Sequence, residues 1–138
     1  MNEERVQELI AQGYNCAQIM VIRGMEQQGK NDPDLVRAAT GLGGGLGGCG
    51  KNCGALTGAV SALGLFAGRS LEENAPKSDM MPMVQELVNW FEEINGTVNC
   101  EEILEGNPEN KRLRCPGIIM DTCDKLFEIL DDYGYILD

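Results

Sequence analysis

The sequence predicts an all-α fold: a single domain, built as a bundle of about six or seven helices around a buried, small-residue central helix. Three observations lead to that class. Apolar residues recur at three- and four-residue spacing, and no stretch alternates as a half-buried strand would. Helical stretches are bounded by capping residues in front and by glycine behind. One stretch, from Cys53 to Ala67, carries no charge and repeats small residues at helical spacing, as a helix enclosed by its neighbours does. With 138 residues, 43% of them apolar, the chain can fill one core, and nothing marks a boundary within 1–138.

A first helix over residues 2–12 aligns Val6, Leu9 and Ile10, and Gly13 ends it. A second, from Cys16 to Gln28, carries Ile19, Met20, Ile22 and Met25 and stops at Gly29. Asp32-Pro33 opens a short third helix over 33–40, with aspartate as cap and proline in the first turn. The glycine-dense residues 41–50 cannot hold a stable helix, because each interior glycine costs about 1 kcal/mol relative to alanine. They form instead a loop in which backbone can approach a neighbour closely.

The central helix follows from Cys53 to Ala67, with Gly54, Gly58 and Ala62 on one line and Ala55 and Ala59 on another. It falls short of the roughly 20 apolar residues that cross a bilayer. Residues 69–78 are polar and read as a surface loop ending in Pro76-Lys77-Ser78. Asp79 then caps an amphipathic helix to Ile94 whose stripe is Val84, Leu87, Val88, Phe91 and Ile94. Cys100–Leu104 makes one short turn, residues 106–114 a polar connection, and Pro116–Tyr133 the last long helix.

Three of the six cysteines follow an asparagine: Asn15-Cys16, Asn52-Cys53 and Asn99-Cys100. Asparagine is among the best N-caps, so each cysteine falls at a predicted helix start. Cys115 precedes Pro116, a first-turn residue in the expected last helix. Unpaired N–H groups and the positive end of the helix dipole favour thiolate over thiol at such positions. Four helix ends meeting at one place would bind an iron–sulfur cluster or a zinc ion, or cycle between dithiol and disulfide. Cys49 and Cys53 are not spaced as Cys-x-x-Cys, so no thioredoxin-like pair is signalled, although the two could share a metal. Cys123 lies two turns beyond Cys115 and packs as a core residue between Ile119 and Leu126.

Histidine is absent, which removes His-based general base catalysis, His-ligated haem, the Cys-x-x-Cys-His haem attachment and Cys/His zinc fingers. A formal net charge of −11 argues against nucleic acid or an anionic membrane as partner and toward a basic protein surface. The charged Met1-Asn2-Glu3-Glu4-Arg5 start lacks a signal-peptide core, which places the protein in the cytoplasm with its cysteines reduced, metal-bound or catalytic. Gly45-x4-Gly50-Lys51 imitates a phosphate-binding loop and Gly45-x-Gly47-x-x-Gly50 a dinucleotide fingerprint. Neither follows a strand, and Asn52 stands where the former needs Ser or Thr, so both are rejected. Met80, Met81 and Met83 resemble a soft-metal group but read better as adaptable packing or as the seam of a homodimer. Glu92-Glu93, Glu101-Glu102 and Asp131-Asp132 read as solvated faces.

The order Gly13-Tyr14-Asn15-Cys16-Ala17, Gly43-Gly44-Gly45, Cys53-Gly54-Ala55-Leu56-Thr57-Gly58, then Cys100 and Cys115, resembles a family of small redox-active proteins. The family, C_GCAxxG_C_C, is named for its cysteine pattern. The chain is also similar to the C-terminal part of split-Soret cytochromes, which carry an iron–sulfur cluster beside haems. The resemblance implies a helical domain of this size with four characteristic cysteines and a redox role. Asn52 stands where the family name has glycine, and Cys49 and Cys123 are additional. Cys115 is taken as the last family cysteine for its place before Pro116, with Cys123 the alternative.

The expected function is therefore redox chemistry through sulfur. In one route Cys16, Cys53, Cys100 and Cys115, with Gly54 beside them, hold an iron–sulfur cluster for electron transfer to a basic protein partner. In a second, Cys53 and Cys16 are the catalytic thiols of a dithiol/disulfide exchange protein. In a third, the same sulfurs hold zinc or a soft metal without redox turnover, with Cys49 and Cys123 as further candidate ligands.

Overall fold

A computed structural model of the chain describes residues 2–136. The described residues form seven α-helices: α1 (Asn2–Ala11), α2 (Cys16–Gln27), α3 (Pro33–Ala38), α4 (Gly54–Ala67), α5 (Met80–Asn95), α6 (Cys100–Ile103) and α7 (Asn110–Asp132). A 3₁₀ turn, Thr40–Leu42, leads into the glycine segment. The expected all-helical class is what the structure shows. No described helix is long and apolar enough to cross a membrane.

Helix α4 lies at the centre and packs against α2, α5 and α7, while α1 packs on α7 and α2. Its small residues explain why. An ideal Cβ on Gly58 would lie 2.6 Å from the backbone Cα and O of Ala17, and one on Gly24 would lie 3.1 Å from the Cβ of Ala62. Backbones of α2 and α4 thus touch where other helix pairs are held apart by side chains. The remaining core is assembled from larger groups, among them Leu63, Met83, Leu87, Phe91, Leu126 and Ile129, all fully buried. Each such side chain stabilises the fold by about 1.5–3 kcal/mol relative to exposure.

The glycine-dense residues 41–50, expected as a loop, contain the end of that 3₁₀ turn and one distorted helical turn, Gly43–Leu46, in which Gly44 and Gly45 are not helical. Gly44, Gly45, Leu46, Gly47 and Gly48 all have φ between 64° and 78°, so five consecutive residues turn left-handed. Four are glycines, which adopt this region without steric cost; Leu46 is the exception.

Three local expectations are corrected. The last helix begins at Asn110 rather than Pro116, so residues 110–114 are helical and Pro116 lies inside α7. Tertiary anchors explain the extension: Asn110 Nδ2 donates to the Leu104 carbonyl and Arg114 Nη1 to the Ile103 carbonyl, tying this turn to the end of α6. Asp79 does not cap α5; its carboxylate accepts the Tyr135 hydroxyl instead. Ile94 lies outside the buried stripe of α5, at 60% exposure. Of the methionines, Met80 and Met83 are core residues and Met81 is exposed.

Candidate functional site

Three breaks in the helical pattern bring the predicted cysteines to one end of the bundle. At the first, Asn15 caps α2 as its sequence suggests: its Oδ1 accepts the Gln18 N–H at 2.9 Å, and Gln18 Oε1 accepts the Asn15 N–H at 3.2 Å. Asn15 Nδ2 also donates to the Thr40 carbonyl. A Cβ on Gly43 would lie 2.6 Å from that nitrogen, so glycine there lets the loop close on the cap. Cys16 is held in the first turn of α2 as a result.

At the second break the other two Asn-Cys pairs meet each other. Asn52 and Asn99 form an isolated antiparallel bridge. The Cys53 N–H donates to the Val98 carbonyl at 2.8 Å, the Cys100 N–H to the Lys51 carbonyl at 2.6 Å, and the Glu101 N–H to the Gly50 carbonyl at 3.0 Å. Glycine makes this contact possible. A Cβ on Gly45 would lie 2.6 Å from the Lys51 nitrogen and 2.8 Å from the Cys100 Cβ, and one on Gly50 would lie 2.8 Å from the Glu101 Cβ. A Cβ on Gly54 would lie 2.4 Å from Cys16 Sγ, which joins the first break to the second. The third break is the docking of α7 onto α6 described above, which carries Cys115 in its second turn.

Cys53 is buried, and Cys16, Cys100 and Cys115 are half-buried. Their proximity is visible in the electrostatics. A thiolate at Cys16 would raise the thiols of Cys53, Cys100 and Cys115 alike, and one at Cys100 would raise Cys53 and Cys115. Cys49 sits exposed just after the left-handed segment, and Cys123 is buried in the core.

The expected thiolate bias is corrected for Cys53, Cys100 and Cys115. Burial pushes the Cys53 thiol up to about 12, against the opposing N–H groups of Ala55 and Leu56. Those N–H groups at the start of α4 act as the sequence argument requires, but loss of water outweighs them. Cys53 itself is the N-cap, and Asn52 is engaged in the bridge. Asn99 supplies no capping bond either, its side chain donating to Glu102. Burial also raises Cys100 and Cys115, while Lys111 pulls both down. Cys115 is not at a helix start, because α7 begins earlier.

Among the described residues, no three Cys, Asp or Glu side chains are grouped so as to hold a metal ion as they stand. A single zinc ion draws its sulfurs to about 2.3 Å of one point, so the arrangement is not a preformed single-ion site.

Sequence reasoning missed the pairing of the second and third Asn-Cys segments, the contact of Gly45 with Cys100, and Lys111. Lys111 stands four residues before Cys115, a helical neighbour spacing that becomes legible only once α7 is known to start at Asn110.

No curated protein and no solved structure matches the chain. The model of one family, described as "Putative redox-active protein (C_GCAxxG_C_C)", matches residues 14–129, a span that holds all six cysteines. The chain belongs to this family.

Proposed function

We propose that this family member is an electron-transfer protein whose Cys16, Cys53, Cys100 and Cys115 hold an iron–sulfur cluster. The observation that carries the reading is the convergence of four cysteines from separate segments, with Gly45 and Gly54 keeping Cβ atoms away from Cys100 and Cys16. The donor set fits such a group in kind: four sulfurs, one buried and three half-buried, and no histidine anywhere in the chain. A cluster brings irons and sulfides of its own, so it asks its ligands to converge less tightly than one ion does. Bound there it would supply a one-electron couple. The chain's own part is to supply four thiolates, displacing their protons, and to shield the centre by burial. A protein partner with a basic face suits a surface of net charge −11, and the cytoplasm suits unpaired thiols.

A second reading is favoured by Lys111, whose charge opposes the burial that raises the thiols of Cys100 and Cys115. In that reading two neighbouring thiols close to a disulfide, releasing two protons and passing two electrons to an oxidised partner. Anaerobic purification followed by iron and acid-labile sulfide assay separates the two. Iron and sulfide in equal amounts, with a visible chromophore lost on Cys→Ser change at any of the four positions, is the expected result. A colourless, iron-free protein that oxidises to one defined disulfide would overturn the cluster.

A further inference from the structure

We infer that the cavity between the α1–α2 turn and the start of α7 binds a small organic anion against Cys16 and Cys115. The cavity has a volume of about 950 Å³, at the upper end of the roughly 300–1,000 Å³ typical of small-molecule sites. Its walls divide by chemistry. Ile10, Leu113, Pro116 and Ile119 form an apolar surface, and Leu113 stands 79% exposed, an apolar side chain that an occupant would take out of water.

The charge on the wall is the opposite of the charge on the molecule. Acidic residues outnumber basic ones by 22 to 11 in this chain, yet Lys111 and Arg112 stand side by side at the cavity. Neither joins the ion pairs that engage Arg5, Arg23, Arg37, Arg114 and Lys125. Glu109 offsets one of the two cations. The N-terminus of the 12-residue α2 opens on the same wall through Asn15 and Cys16, adding the positive end of its dipole. Two cations outside the ion pairs among the described residues and a helix start, set against an apolar face, match a molecule with an apolar body and a carboxylate, sulfonate or phosphate group. Because Cys16 and Cys115 are part of the wall, the occupant lies in contact with the sulfur centre. The inference goes beyond the protein partner proposed above and does not depend on which sulfur chemistry operates.

The test is a fluorescence titration of the full chain, as purified, with 8-anilinonaphthalene-1-sulfonate and with its uncharged counterpart N-phenyl-1-naphthylamine. The anionic dye is expected to saturate at one equivalent. The exposed Lys111→Ser/Arg112→Ser pair should weaken it by at least about fivefold and change the uncharged dye by less than about twofold, as loss of two local charges predicts. A control pair, Lys30→Ser/Arg37→Ser, makes the same change in net charge on another surface and should leave both dyes unchanged. Lack of saturable binding, an equal loss in the two variant pairs, or a loss shared by the uncharged dye would each overturn the inference. Iron and sulfide content, read on the same samples, reports on the cluster independently of the dye.

Discussion

The molecule buries two thiols, and it does so by opposite means. Cys123 is fully enclosed in the bundle, in mid-helix between Ile119 and Leu126, and its thiol is pushed up to about 11 by burial while the nearby Arg23 pulls it down. Cys53 is 8% exposed and pushed up to about 12, also by burial first. Around Cys123 the neighbours are side chains stacked by helical periodicity. Around Cys53 they are backbone: the N–H groups at the start of α4, the Val98 carbonyl, and the close approach of Gly54 to Cys16. Burial alone therefore does not separate a core thiol from a candidate ligand. What separates them is whether other sulfurs are delivered to the same place, and in this fold that is achieved by chain breaks and glycines rather than by packing.

The largest expected effect strikes the backbone contact on which the site end depends. Gly58→Ala would place a Cβ 2.6 Å from Ala17. It should cost about 3 kcal/mol or more, exceeding the roughly 1 kcal/mol that alanine gains in a helix interior. A denaturant midpoint unchanged or raised in this variant would show that the α2–α4 crossing is looser than described.

The two thiols themselves give the next contrast. Cys123→Ala should cost about 1–2 kcal/mol near neutral pH through lost packing, and should leave bound iron intact. Cys53→Ala should remove the iron. The Cys123 comparison also has a pH signature. A thiol raised from 9.0 to about 11 contributes stability that is complete below pH 9 and is lost as pH rises through 11. The stability gap between the parent and Cys123→Ala, measured by urea unfolding of reduced protein, should therefore narrow across that window. A gap constant from pH 8 to 11 would mean that Cys123 ionises as freely in the folded chain as in the unfolded one.

The smallest effect tests the left-handed segment. Leu46 has φ 70° and is 40% exposed. A left-handed residue with a Cβ costs about 1–2 kcal/mol, and glycine returns part of that through a freer unfolded chain, so Leu46→Gly should stabilise by about 0.5–1 kcal/mol. Thermal melting would reveal it; a lower midpoint would place a packing role on the Leu46 side chain.

Much of this was legible in the sequence because its causes are local. The Asn15 cap acts within one turn of α2, and the uncharged run 53–67 announces a central helix by composition alone. Gly29 at φ 69° ends its helix where glycine is expected to. The errors arose where a remote partner decided the outcome. Asn52 and Asn99 are both good caps in isolation, yet they bridge each other, because the chain returns after more than forty residues to lie beside itself. Arg114 and Asn110 start α7 early only because the carbonyls of Ile103 and Leu104 are there to receive them.

The sequence by itself determined the helical class, the central small-residue helix and which four cysteines to propose as the site, since periodicity, capping and residue type act over a few neighbours. Tertiary structure alone decided that those sulfurs converge, that the thiols of Cys53, Cys100 and Cys115 are raised rather than lowered, and that Lys111 and Arg112 share a cavity with Cys16 and Cys115. Burial and charge proximity depend on which distant segments are brought together. A helix start can favour a thiolate only while water remains to solvate it, and how much water remains is a property of the folded whole.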